Sequence, residues 1–300
     1  MFTFEEYTKK VVNELEKQLA GENCQVHVHE KMKNNGIPQT GIIIQQEGEN
    51  VCPIVYLEPF YLKYKYENGT VGDAVNSICS ILEESFLENI ENISVSEFKN
   101  WNKIKSQIYI KLINADLNQK LLENVPYRKV MDLAEVYYLK IDIKNDGDEN
   151  MNYGSILITN AHMKIWNVSE EELYECAWSN TKAEQTELVN MAEIVKGTGQ
   201  VLDHDDIEMY VLTNSRRVFG AVKMLDEDIL SKIADKMKDD LLLLPSSINE
   251  IIILEAENKE CEDLAKMVDD VNGTFVSQDE ILSYHVYRFD RHSRKLSIAA

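Results

Sequence analysis

The residues able to do chemistry sit in a few short stretches. His27 and His29 flank Val28 in a β-like run. Residues two apart on a strand share a face, so both imidazoles can address one metal ion. The same alternation suits a strand whose valines Val26 and Val28 face a core while its histidines face solvent. Asp203, His204, Asp205 and Asp206 follow Gly197-Thr198-Gly199 and gather oxygen and nitrogen donors of the kind a hard cation takes. They equally suit an acidic connecting loop. Pro245-Ser246-Ser247-Ile248-Asn249-Glu250 places two hydroxyls, an amide and a carboxylate after an apolar run. Ser246, Ser247, Asn249 and Glu250 can hold a small polar ligand. They can also close a turn by bonding their own backbone.

Other patterns fail on spacing. Counted from Asp142 as a calcium loop, the third position is Lys144 and the twelfth is Tyr153, where a bidentate glutamate is required. Gly197-Thr198-Gly199-Gln200-Val201-Leu202 lacks the third glycine of a dinucleotide fingerprint. The sequence holds no nucleophile elbow, phosphate-binding loop or H-E-x-x-H motif.

The elements that must position these residues follow from periodicity and capping. Thr3-Phe4-Glu5-Glu6 is a capping box, and Phe4, Tyr7, Val11, Leu15 and Leu19 recur at helical spacing behind it. Three β-like runs at residues 24–30, 40–46 and 51–57 predict an antiparallel meander, broken by Asn34-Asn35-Gly36 and Glu47-Gly48-Glu49-Asn50. Thr70 with Asp73 caps a second long helix carrying Val75, Ile78, Ile81, Leu82 and Phe86. Ser94-Val95-Ser96-Glu97 opens a short helix, residues 107–113 and 133–143 read as strands, and Asn114 leads a further helix. A helix is expected at residues 186–196, strands at 241–244 and 251–254, a helix at 261–271, and a closing hairpin from 284–289 and 296–298.

The second half repeats a pattern. Ile158-Thr159-Asn160 leads to Ser169-Glu170-Glu171-Glu172-Leu173 and Ala177, and Leu212-Thr213-Asn214 leads to Asp226-Glu227-Asp228-Ile229-Leu230 and Ala234. The expectation is one strand-turn-helix unit used twice, against the alternative of coincidence among common capping patterns. Strands and helices interleave without a strict βαβ rhythm, so the expected class is α+β, with mixed, mainly antiparallel sheets and packed helices. The polar stretch at residues 145–152 marks the expected boundary between an N-terminal half, 1–145, and a C-terminal half, 146–300.

Composition bounds the function. A net charge of −21 repels nucleic-acid phosphates and anionic lipid. The acidity is spread, with 16 basic and 24 acidic side chains in residues 1–150 and 15 and 28 in residues 151–300. Cys24, Cys52, Cys79, Cys176 and Cys261 are odd in number and dispersed, which predicts reduced thiols rather than a disulfide framework or zinc ribbon. No signal peptide or membrane-spanning run is expected, which places the protein in the cytoplasm.

A resemblance adds to this reading. The entry helix, Tyr56-Leu57-Glu58-Pro59-Phe60-Tyr61, Leu112-Ile113-Asn114, the run from Ile158 to Glu175, Tyr210-Val211-Leu212-Thr213-Asn214, Gly220-Ala221 and Leu244-Pro245-Ser246-Ser247 together resemble a clostridial domain-of-unknown-function family, number 5688. Ile165-Trp166-Asn167-Val168-Ser169-Glu170-Glu171-Glu172-Leu173-Tyr174 is more distantly similar to unknown-function family 1444. In the family it resembles, His-Glu often follows the Pro-Ser-Ser-hydrophobic segment, where this chain has Asn249-Glu250. The resemblance implies a bacterial cytoplasmic α+β protein and no particular reaction.

The expected function is a non-enzymatic binding or regulatory module without a cofactor, contacting a basic protein partner rather than nucleic acid or membrane. The alternatives are a metal-assisted hydrolase using some of His27, His29, His162, Asp203, His204 and Asp205, and an acidic decoy of DNA-handling proteins.

Overall fold

Thr3 accepts the Glu6 amide while Glu6 reaches back to the Thr3 amide, and this closed capping box starts α1, Phe4–Gln18. Its apolar residues return every four positions, so Tyr7, Val11 and Leu15 fall on one buried face. Burying a valine or leucine side chain in this way stabilises by about 1.5–3 kcal/mol. The computed structural model describes residues 1–46, 54–87, 95–143, 152–193, 208–245 and 247–300. They form an α+β fold in two compact units.

The first unit comprises Met1–Lys33, Ile37–Lys99 and Ile141–Gly154. Its strands β1 (Cys24–Met32), β2 (Pro38–Gln46) and β3 (Ile54–Tyr56) form the expected antiparallel meander in the order β1-β2-β3. Helix α2, Glu58–Tyr66, follows, and α3, Val71–Leu87, starts where Thr70 and Asp73 bond reciprocally. Tyr7, Val11 and Leu15 of α1, Ile42 and Ile44 of β2, and Val75 and Ile78 of α3 form its core. Rings of Phe2, Phe4, Tyr7, Tyr61 and Tyr64 pack along one side, with centroids 5.1–6.1 Å apart. The Tyr7 hydroxyl is buried with no hydrogen-bond partner among the described residues. Burial, with Asp73 and Tyr64 adding, pushes its pKa up to about 12.

The second unit comprises Asn34–Gly36, Asn100–Lys140 and Ser155–Ala300. The expected boundary at residues 145–152 lies almost wholly outside the described residues. The short helix α4, Val95–Phe98, belongs to the first unit, and α5, Trp101–Ile104, to the second. One sheet is built on β6 (Leu133–Ile143), flanked by β4 (Ile108–Asn114) on one side and by β5 (Tyr127–Val130) and β7 (Asn152–Leu157) as its other neighbours. Short α6, Gln119–Leu122, lies between β4 and β5 in the chain. A second, antiparallel sheet has the order β13-β12-β10-β11-β9-β8. Its strands are β8 (Thr186–Asn190), β9 (Tyr210–Asn214), β10 (Leu241–Leu244), β11 (Ile251–Glu255), β12 (Tyr287–Asp290) and β13 (Lys295–Ile298).

Four helices accompany these sheets: α7 (Asn160–Trp166), α8 (Glu170–Ala183), α9 (Glu227–Met237) and α10 (Cys261–Thr274). Helix α8 covers the free edge of β4. Its Thr181 hydroxyl accepts the Ile110 amide at 3.0 Å, and Asn180 donates to the Ile108 carbonyl at 2.8 Å. A sheet edge that would otherwise leave backbone groups unpaired is thereby closed.

The segment expected to be helical at 186–196 opens instead as strand β8. Thr186, Leu188 and Val189 favour an extended chain, and pairing with β9 from Thr186↔Asn214 to Asn190↔Tyr210 overrides the local helical pattern. The two copies of the internal pattern share an order of elements but use their Thr-Asn pairs differently. Thr159 caps α7, accepting the His162 amide, whereas Thr213 stays in β9 and donates its hydroxyl to the Asn249 carbonyl at 2.7 Å.

Candidate functional site

The turn between β10 and β11 holds Ser247, Asn249 and Glu250; Ser246 lies outside the described residues. Every polar group of Asn249 is engaged. Its amide donates to Ser247 Oγ at 3.0 Å, and its Oδ1 accepts the Phe219 amide at 3.0 Å. Its Nδ2 donates to Glu280 Oε1 at 3.1 Å, and its carbonyl accepts the Thr213 hydroxyl. One side chain therefore ties the turn to the loop after β9 and to the segment before β12. That loop bends sharply, with Arg217 at φ 54° and Phe219 at φ 53°. At Gly220 a Cβ would run into Thr213 Oγ1 and lie 2.7 Å from both Asn214 N and Asn249 O, so only glycine fits.

Glu250 of this turn feels both Arg217 and Glu280, the latter from the segment before β12. Burial pushes the Glu250 carboxyl above the ordinary range, Arg217 works against that and Glu280 adds to it. With the amide and hydroxyl groups committed to structure, the chemistry the turn itself retains is the Glu250 carboxylate, while Glu280 accepts from Asn249 and Arg217 pairs with Glu187.

A second group of ionisable side chains was not legible in the sequence. The Arg216 guanidinium pairs with Glu184, donates to the Tyr138 hydroxyl at 3.3 Å and lies 5.4 Å from the Tyr109 ring. Lys223 is buried, donating to the carbonyls of Thr181 at 2.7 Å and Glu184 at 2.8 Å. A cation thus occupies the C-terminal end of α8, where unsatisfied carbonyls concentrate negative potential. Burial lowers its pKa, while Glu184 and Asp226 oppose that shift. In β6, Glu135 is buried opposite Arg128, but Arg128 turns to Glu171 at 2.5 Å and stacks 3.5 Å over the Tyr174 ring. Burial pushes the Glu135 carboxyl up, with Arg128 partly offsetting it.

A family model for DUF5688, described as a family of unknown function, matches residues 4–291. The chain belongs to this family. No curated protein and no solved structure matches it.

In this DUF5688 chain, His27 and His29 lie on β1 opposite Ile43 and Gly41, both exposed, while the intervening Val28 is itself 49% exposed. Val26 packs against the core of the first unit. His162 belongs to the capping box of α7, where its Nδ1 accepts the Thr159 amide at 3.2 Å; burial lowers its pKa. Asp203, His204 and Asp205 lie outside the described residues. Among the described residues no group of three or more His, Cys, Asp or Glu side chains is placed to hold a metal ion. No helix of the described residues is long and apolar enough to cross a membrane.

One surface stands out by composition. Around α10, Glu257, Glu260, Glu262, Asp263, Asp269 and Asp270 are all exposed. Lys266 is exposed there and pairs with Asp263 at 2.9 Å, and Lys259 is half-buried between Glu257 and Glu260. Leu264, Val268 and Asn272 form the buried face of the helix. Met267, Val271 and Phe275 follow one another at four-residue spacing outside that face, with Met267 46% and Phe275 82% exposed.

Proposed function

We propose that this protein is a non-enzymatic binding or regulatory module of a bacterial cytoplasm that acts by contacting a basic protein partner. The observation that carries this reading is the α10 surface, where a short apolar stripe ends in a phenylalanine 82% exposed and is bordered by carboxylates. A large aromatic side chain left in water gains free energy when a partner covers it, and aromatic anchors dominate the energetics of protein interfaces. The surrounding carboxylates favour a partner whose own apolar anchor is flanked by lysine or arginine and disfavour an acidic competitor. The charge of −21 on the whole chain adds a long-range attraction toward the same class of partner.

The test is affinity capture from a lysate of a bacterium that encodes the family. Wild-type protein is compared with the variant Met267→Ser/Phe275→Ser and with Asp263→Lys/Asp270→Lys. Each variant alters exposed side chains only, so both are expected to melt as the wild type does. The expected result is a basic protein retained by the wild type and lost from both variants. Equal retention by all three proteins overturns the assignment of the surface.

A further inference from the structure

A cavity of about 330 Å³ opens in the second unit, away from the turn and the α10 surface. Its apolar lining comes from three regions distant in sequence. Val130 and Met131 belong to the end of β5 and the turn after it, Met224, Leu225 and Leu230 to the 3₁₀ turn and first turn of α9, and Phe289 and Leu296 to β12 and β13. Phe289 and Leu296 are cross-strand partners in the β12–β13 hairpin, which puts both side chains on one face. Met224, Leu230 and Phe289 are fully buried and form the floor, whereas Met131, Leu225 and Leu296 are partly exposed and form the walls.

Two charged side chains complete the lining, Glu227 and Arg294. Both are exposed; the Arg294 charge acts on the Asp228 carboxylate without closing an ion pair, and Glu227 makes no side-chain hydrogen bond or ion pair among the described residues. The other arginines around this hairpin are engaged: Arg288 with Asp240 at 2.7 Å and Arg291 with Asp235 at 2.9 Å.

We infer that this cavity binds a free apolar α-amino acid of the leucine, methionine or phenylalanine class. Arg294 receives the α-carboxylate, for which its planar fork is matched. Glu227 receives the α-ammonium, and the side chain lies between the walls Met131, Leu225 and Leu296. The volume lies at the small end of the roughly 300–1,000 Å³ range of ligand pockets, which suits a single amino acid. An apolar monocarboxylate without an amine satisfies Arg294 but leaves Glu227 beside a like charge, and an alkylamine satisfies Glu227 alone. The zwitterion is the class that pairs both.

The test is titration calorimetry of the full chain with L-leucine, L-methionine and L-phenylalanine, set against L-alanine, hexanoate and 3-methylbutylamine. The expected result is binding of the three apolar amino acids on the millimolar scale or tighter, and much weaker binding of the other three. Arg294→Gln, an exposed change that leaves the melting temperature in place, is expected to weaken binding roughly ten- to a hundredfold by removing a charge-assisted hydrogen bond. Leu225→Trp, which fills the cavity, is expected to abolish it. The inference is overturned if none of the apolar amino acids binds at millimolar concentration, if hexanoate binds as tightly as leucine, or if Arg294→Gln binds leucine as the wild type does.

Discussion

Asp132 accepts the Tyr287 hydroxyl at 2.8 Å on one carboxylate oxygen and the Ser283 hydroxyl at 2.6 Å on the other. Asp132 sits in the turn that joins β5 to β6, and Tyr287 begins β12, so one carboxylate ties together the two sheets of the second unit. Burial, reinforced by Asp132, keeps the Tyr287 phenol protonated far above neutral pH, and it remains a donor. Tyr287→Phe leaves Asp132 short of one partner and is expected to destabilise by roughly 1–3 kcal/mol. An unchanged urea midpoint contradicts this.

Gly220→Ala should be among the costlier small substitutions in the chain. The added methyl meets the Thr213 hydroxyl, the Asn214 amide and the Asn249 carbonyl, two of which are backbone atoms that cannot yield without moving β9 or the β10–β11 turn. The expected loss is about 1–3 kcal/mol in chemical denaturation, as for overpacking elsewhere. A wild-type transition in this variant means that the loop does not close on Asn249 as described.

Tyr7→Phe should leave the first unit as stable as before or raise its stability by up to roughly 1 kcal/mol. The substitution removes a buried hydroxyl that has no partner among the described residues and keeps the ring contacts with Tyr61 and Tyr64. A clear loss of stability reveals a partner for that hydroxyl.

Glu135 carries a pH dependence whose sign is fixed by its environment. Its carboxyl is raised above 4.5 in the folded chain by burial, so the folded state holds the proton more tightly than the unfolded state does. The contribution is favourable below about pH 4.5 and is lost as pH rises through the folded-state value. Glu135→Gln removes the titration. Relative to wild type the variant is expected to be more stable at pH 7 than at pH 4, with the difference shrinking as pH falls. Urea midpoints measured for both proteins across that range check this, and a difference independent of pH contradicts it.

Much of the architecture was readable because caps and periodicity are local. Thr3 with Glu6, Thr70 with Asp73, and Ser169 with Glu172 each announce a helix within four residues, and all three bond as their spacing requires. Leu241–Leu244 and the run from Ile251 pair as β10 and β11 around the Pro-Ser-Ser turn. Helix α2 escaped notice because Glu58-Pro59 reads as extended and the tyrosines after it favour strands, although proline is well placed in the first turn of a helix. The site was less legible. Asn249 meets Thr213, Phe219 and Glu280, and the cavity draws on residues 130–131, 224–230 and 289–296. Such convergence depends on sheet order, which local patterns do not encode. The exposure of Phe275 beside an acidic helix likewise depends on where α10 ends, one residue before it.

In the function proposed above, charge on this protein serves recognition of a basic partner through α10. The most direct measurement is the association rate of the captured partner by stopped-flow mixing at increasing ionic strength. Electrostatic steering raises association well above the roughly 10⁵–10⁶ M⁻¹s⁻¹ of neutral encounters and fades once the screening length falls to about 8 Å. The expected rate drops at least about tenfold from low salt to above physiological salt, with Asp263→Lys/Asp270→Lys slow throughout. An association rate that is the same at all salt concentrations, or the same in that variant as in the wild type, contradicts it.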